Sequence, residues 1–200
     1  MIGDLAEAGR ILAETDWSGL EVLFSSEQGC PPVPVLLKDL LTGSPDVRAR
    51  ALRDLDQAVH HQNTVVDSTT PAVLYVTAIL RDPQTDGVRL LGTAAGTGSP
   101  LRLLRSALLE WLRTVFEDVD DETERLSLSF GVSLRERPAF QRPRAVRPLV
   151  FRALAPLWVD PEPLVREAAI AAAVPLLDDP ELAAHCSTHI WLARGAGGRA

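Results

Sequence analysis

The chain has little of several residue types, and each scarcity excludes something. Lys38 is the only lysine. A phosphate-binding Walker loop needs Gly-Lys-Ser/Thr, so the glycine-rich stretch Gly92 to Gly98 is not one. No Gly-x-Ser-x-Gly elbow occurs, which leaves a serine hydrolase of that type unsupported. Two distant cysteines, Cys30 and Cys186, make no disulfide framework. No apolar run reaches the roughly 18 residues of a membrane helix. Met1-Ile2-Gly3-Asp4 carries no basic segment before an apolar stretch, which predicts no secretory leader. The 27 acidic residues outnumber the 20 basic ones, for a net charge of −7. That balance argues against broad nucleic-acid binding, where affinity comes from neutralising phosphates. The expectation is a cytoplasmic, membrane-free protein without a cofactor.

What is present is a recurring helix start. A capping residue, usually a proline and then an acid or amide appear at Ser44-Pro45-Asp46, Asp82-Pro83-Gln84, Asp160-Pro161-Glu162 and Asp179-Pro180-Glu181. The first residue accepts an orphan backbone N–H, proline suits the first helical turn, and the acid faces the positive end of the helix dipole. A proline-free version stands at Asp121-Glu122. The starts at 44, 82, 121 and 160 are separated by 38, 39 and 39 residues. A Val-Arg pair followed by small and aliphatic residues recurs at Val47-Arg48, Val88-Arg89 and Val165-Arg166. Apolar helical stretches precede the starts, over 33–41, 72–80, 101–116 and 146–158. In the third, Leu101, Leu104, Leu108, Trp111, Leu112 and Val115 keep the spacing of one buried face.

A helix A, a short turn and a helix B per period resembles a HEAT-type repeat over residues 30–178. With Asp16-Trp17-Ser18, His61-Gln62-Asn63-Thr64 and Thr70-Pro71-Ala72, the chain resembles a group of short actinobacterial HEAT-like proteins. The resemblance implies an all-α, right-handed α-solenoid of four to five helical hairpins. Residues 1–29 are expected to form N-terminal capping helices, with a helix over Leu5 to Glu14. Residues 179–200 are expected to form a C-terminal capping helix and a frayed tail. The second B helix is predicted to run to about Ala95, and Ser133 to Arg144 to be a longer connection. Iron-binding enzymes of HEAT type carry repeated His-Glu pairs, and this sequence has none.

The candidate binding residues fall in two groups. On the first B helix Val47, Ala51, Leu55 and Val59 form the buried stripe, so Arg53, Gln57 and His60 are predicted to face a concave groove, with His61 and Asn63 at its rim. Two imidazoles there could bind a ligand or exchange protons; equally, histidine suits a helix C-terminus and Asn63 the position after it. The second group is Arg135, Arg137, Arg142 and Arg144, continuing to Arg147 and Arg152. These form a patch for phosphate or an acidic partner, or else pair with the acidic run Glu117 to Glu124. His185, Cys186 and His189 lie within five positions but lack a second ligand pair for zinc. Trp111 and Trp158 are predicted core, while Trp17 and Trp191 cover the two ends.

The leading functional expectation is a non-enzymatic protein-binding scaffold, in one form an immunity or antitoxin-like partner. The alternatives are a small-molecule binder or enzyme using a groove near His60 and His61, and a nucleic-acid binder using Arg135 to Arg152.

Overall fold

The computed structural model describes residues 5–90 and 102–183. Ten α-helices lie among them: α1 Leu5–Glu14, α2 Val33–Thr42, α3 Pro45–Val59, α4 Thr69–Ile79, α5 Leu104–Glu117, α6 Asp121–Ser129, α7 Pro138–Ala145, α8 Arg147–Leu154, α9 Pro163–Ala173 and the short α10 Pro180–Ala183. Two antiparallel ribbons accompany them. His60–His61 (β1) pairs with Thr64–Val65 (β2), and Arg89–Leu90 (β3) with Arg102–Leu103 (β4). No helix among the described residues is long and apolar enough to cross a membrane.

The capping bonds predicted from sequence form at Ser44, Asp82 and Asp179, whereas the cap of α6 is Asp120 and not Asp121, and Asp160 bonds Glu162 N ahead of α9, whose own cap is Glu162. Ser44 Oγ accepts from Val47 N, Asp82 Oδ1 from Gln84 N, Asp120 Oδ1 from Thr123 N, Asp160 Oδ1 from Glu162 N and Asp179 Oδ1 from Glu181 N. The chain beyond each cap differs. After Ser44 the amphipathic run sustains four turns of α3, whereas after Asp82 only one 3-10 turn forms, Pro83–Thr85. Gly87 then takes φ +62°, and Val88-Arg89-Leu90 runs out into β3 instead of the expected second B helix. Conversely, the connection expected over Ser133 to Arg144 contains α7, begun by Pro138 in the first turn where a missing N–H costs nothing.

Three helices lie side by side with both ends tied. At the starts of α3 and α5, Arg48 Nη1 donates to Gln84 O (2.6 Å) and Arg105 Nη2 to Asp82 O (3.4 Å), so one turn serves both. At their far ends His60 meets Asp118. Arg105 Nη1 also reaches Asp160 Oδ2 (3.5 Å), just ahead of α9, and Asp121 N donates to Asp178 Oδ2 (2.9 Å), just beyond it. α3, α5 and α9 therefore run in the same direction. They begin at 45, 104 and 163, two equal steps of 59 residues. The apolar run of α5, an A-row helix by its sequence pattern, stands instead beside the two helices that carry Val47-Arg48 and Val165-Arg166. The Asp82 and Asp120 caps start a 3-10 turn and α6, neither of which belongs to this row, and this is why starts 38 or 39 residues apart do not measure its spacing.

The other helices pack on this row or on one another. α2 packs on α3, α1 on α4, and α8 with the 3-10 turn Ala155–Val159 on α9, while α4 touches α2, α5, α7 and α8. The core between them is aliphatic: Leu37, Leu40, Leu55, Val76, Leu104, Leu108 and Leu154 are fully buried. Trp111 is buried among them, and the half-buried Trp158 meets Phe151 edge-on at 5.1 Å. At about 25 cal/mol per Å² of buried apolar surface, this contact holds the helices together.

Candidate functional site

The chain between α1 and α2 holds an open concave surface. Asp16 Oδ1 caps a 3-10 turn at Trp17–Gly19 by accepting from Ser18 N (3.2 Å) and Ser18 Oγ (2.6 Å). Trp17 Nε1 donates to Leu12 O (3.3 Å), which fixes the indole against the end of α1 with its ring half-exposed. The next segment is tied down by Leu23 N to Ala58 O (2.8 Å) and by Ser68 Oγ to Glu21 O (2.7 Å). A capping box between Ser25 and Gln28 turns the chain, Gly29 at φ +84° ends it, and Pro31 and Pro32 lead into α2. The result is a groove of about 370 Å³. Trp17, Leu20, Val22 and Phe24 line it from the first segment, Pro31, Pro32 and Pro34 from the second.

The histidines stand behind this groove. His61 meets the Phe24 ring edge-on at 5.4 Å. The two residues after it, Gln62 and Asn63, have φ +48° and +59°, the two positive values a primed two-residue hairpin turn requires. Asn63 thus serves a hairpin and not the helix end expected for it; it is exposed.

His60 does not face the groove. It is 4% exposed, with Nδ1 2.9 Å from Asp56 Oδ1 and Nε2 2.5 Å from Asp118 Oδ2. Its backbone is already extended (φ −156°, ψ 107°), so the helical spacing that places Arg53 and Gln57 on the outer face of α3 stops applying one residue too early. Burial works against the imidazolium, but the hydrogen bonds and charges of Asp118 and Asp56 outweigh it and push the pKa up to about 9. Both ring nitrogens therefore donate, and neither lone pair is open to a metal or a substrate proton. Arg53 remains exposed and Gln57 half-buried.

Three of the six arginines of the segment, Arg135, Arg144 and Arg147, bind the acidic run. Glu124, only 2% exposed, is paired with Arg135 and with Arg144 Nη1 (3.5 Å). Arg144 also pairs with Asp121 and donates to Val119 O (3.1 Å). Arg147, 2% exposed, donates to the same carbonyl (2.8 Å). Arg142 reaches Asp67 at 2.7 Å. Arg137 and Arg152 are exposed. Cys30 Sγ lies 3.5 Å from Asp54 O; burial, then the Asp54 charge, push its thiol up and away from the nucleophilic thiolate. Among the described residues no cluster of His, Cys, Asp or Glu is arranged to hold a metal ion. His185, Cys186, His189, Trp191 and the Gly92 to Gly98 stretch lie outside the described residues.

Periodicity and motif do not point to the groove. Its only signal in the sequence is an aromatic and proline cluster, Trp17 through Pro34, in a stretch without helical spacing; of these, Trp17 alone stands out there, as an end cover. No family model matches the chain, and no curated protein or solved structure matches it.

Proposed function

We propose that the chain is a non-enzymatic protein-binding scaffold, its helical pairs stacked in the manner of a right-handed HEAT-like solenoid. The observation that carries the binding reading is the groove of Trp17, Phe24 and Pro31–Pro34: half-exposed aromatic and proline side chains held on pinned backbone. Rigid aromatic anchors in a pocket are the groups that dominate protein recognition. Several of the groups an enzyme or nucleic-acid binder would use are committed elsewhere, His60 to two carboxylates and Arg135, Arg142 and Arg144 to acidic side chains, which leaves Arg137 and Arg152 of that segment exposed. The common direction of α3, α5 and α9 supports the stacked arrangement.

The test is affinity capture of the full chain against its Trp17→Ala and Arg53→Ala/Gln57→Ala variants, with bound proteins identified by mass spectrometry. A partner held by the wild type and lost with Trp17→Ala supports the reading. Capture lost only in the α3 variant would move the site to the face of Arg53. A volume near 370 Å³ also favours a second reading, a small apolar ligand in the same groove. Native mass spectrometry showing a co-purified small molecule, with no protein partner, would select it.

A further inference from the structure

The groove has a charge as well as a shape. Residues 11–37 contain four acids, Glu14, Asp16, Glu21 and Glu27, and no lysine or arginine. All four are exposed. Three of them are sequence neighbours of lining residues: Asp16 of Trp17, Glu21 of Leu20 and Val22, Glu27 of Ser26. None of these three takes part in an ion pair among the described residues. None of these acids lines the groove itself, but exposed carboxylates one residue away lie within a screening length of it, and their field attracts a cation beside an apolar chain and repels an acidic one.

The hydrogen-bonding groups left over point to the same occupant. Glu21 O and Leu23 N are used to fasten the segment to α4 and α3. The N–H groups of Val22 and Phe24 and the Ser26 hydroxyl find no partner among the described residues. The groove thus offers donors, which suit the carbonyls of an extended peptide. A proline in that peptide brings a carbonyl without an N–H that the groove would have to satisfy. Extended proline segments have no internal hydrogen bonds and dock in aromatic-lined grooves at low entropic cost.

We propose that this groove takes an extended, proline-containing segment of another protein that carries arginine or lysine beside its apolar residues. The inference rests on the protein-binding reading and specifies the partner's chemistry. The apolar side chains and prolines lie against Trp17 and Phe24, carbonyls accept from Val22 and Phe24, and the cations lie in the field of the exposed Asp16, Glu21 and Glu27.

Fluorescence anisotropy on the full chain tests this with three labelled peptides: Arg-Pro-Leu-Pro-Arg-Leu-Pro-Arg, and the same peptide with every Arg replaced by Gln or by Glu. The expected result is saturable binding of the Arg peptide, weaker binding of the Gln peptide and none of the Glu peptide. Raising the salt weakens the Arg peptide, because exposed charges are screened. Glu21→Lys/Glu27→Lys, both on exposed positions, weakens it by roughly tenfold or more, and Trp17→Ala abolishes it. Trp17→Phe, which keeps an aromatic wall, retains most of the binding, and circular dichroism shows whether each variant is folded. Equal binding of the Arg and Gln peptides, or no effect of the double reversal, overturns the charge inference. If that binding still needs Trp17, the protein-binding reading stands without it. If no peptide binds, the peptide inference fails, and the capture experiment alone decides the broader reading.

Discussion

His60 Nε2 lies 2.5 Å from Asp118 Oδ2, so the residue that ends α3 is closed onto the residue that ends α5. Asp56, one turn back on α3, holds the other ring nitrogen. The imidazolium is a buried cation with two acceptors, and its worth depends on its proton.

The first prediction concerns pH. The folded pKa of about 9 lies above the ordinary 6.5, so the contribution of His60 is fully present below pH 6.5 and is lost as pH rises through 9. The shift corresponds to roughly 3 kcal/mol. Urea unfolding at pH 6.5 and above 9 should show the wild type losing that amount relative to His60→Gln. Parallel pH profiles for the two proteins would show that the bridge does not hold this proton.

A second prediction concerns the ties between turns. Arg48 donates through Nε to Gly43 O and through Nη1 to Gln84 O, both at 2.6 Å, while 8% exposed. Arg48→Met keeps the aliphatic stem but strands two carbonyls, at a cost of about 2 kcal/mol or more. Arg53→Met on the exposed face of the same helix should stay within about 0.5 kcal/mol of wild type. Denaturant midpoints for the pair decide this.

Two glycines give opposite expectations. A Cβ at Gly43 would stand 2.6 Å from Asp39 O and 2.7 Å from Val47 Cγ1, and the carbonyl cannot swing aside. Gly43→Ala should destabilise by about 1–3 kcal/mol. Gly9, in the middle of α1, has nothing within 4 Å of the place a methyl group would take. Gly9→Ala should stabilise by up to about 1 kcal/mol through helix propensity. Thermal melts of the two proteins should move in opposite directions.

A fourth expectation concerns α6. Phe130, which follows its last residue, is 76% exposed, and Leu126 within it is 59% exposed. Phe130→Ser should leave the unfolding free energy within about 0.5 kcal/mol of wild type. It should also reduce any concentration-dependent light scattering, since exposed apolar patches drive association. A large loss of stability would mean that the ring is buried in solution.

Much of the helical content is legible because its signals are local. The helices expected over Leu5 to Glu14 and Val33 to Leu41 are α1 and α2, and the caps at Ser44 and Asp82 form as their chemistry requires, while Asp160 makes its bond to Glu162 N ahead of the helix. The failures lie where a partner distant in sequence decides the outcome. Arg89-Leu90 looks like a helix after its cap, but it pairs with Arg102-Leu103. His60 looks exposed on a helical wheel, but the chain leaves the helix there and Asp118, 58 positions on, claims the ring. The groove leaves only an aromatic and proline cluster in the sequence, because such residues have no periodicity to betray a concave surface until Leu23 and Glu21 are tied to α3 and to the start of α4.

The arginines that join the turns aim mostly at main-chain oxygens: Arg48 at residues 43 and 84, Arg105 at residue 82, Arg144 and Arg147 at residue 119, Arg166 at residue 160. A main-chain acceptor survives any side-chain replacement at its own position. Each of these fastenings thus depends on a side chain at its arginine end only: the exposed Gln84 can change without loosening Arg48, whereas Gly43, Asp82 and Asp160 are held in place by other demands, the first by the room it leaves and the other two by the N–H groups they accept from.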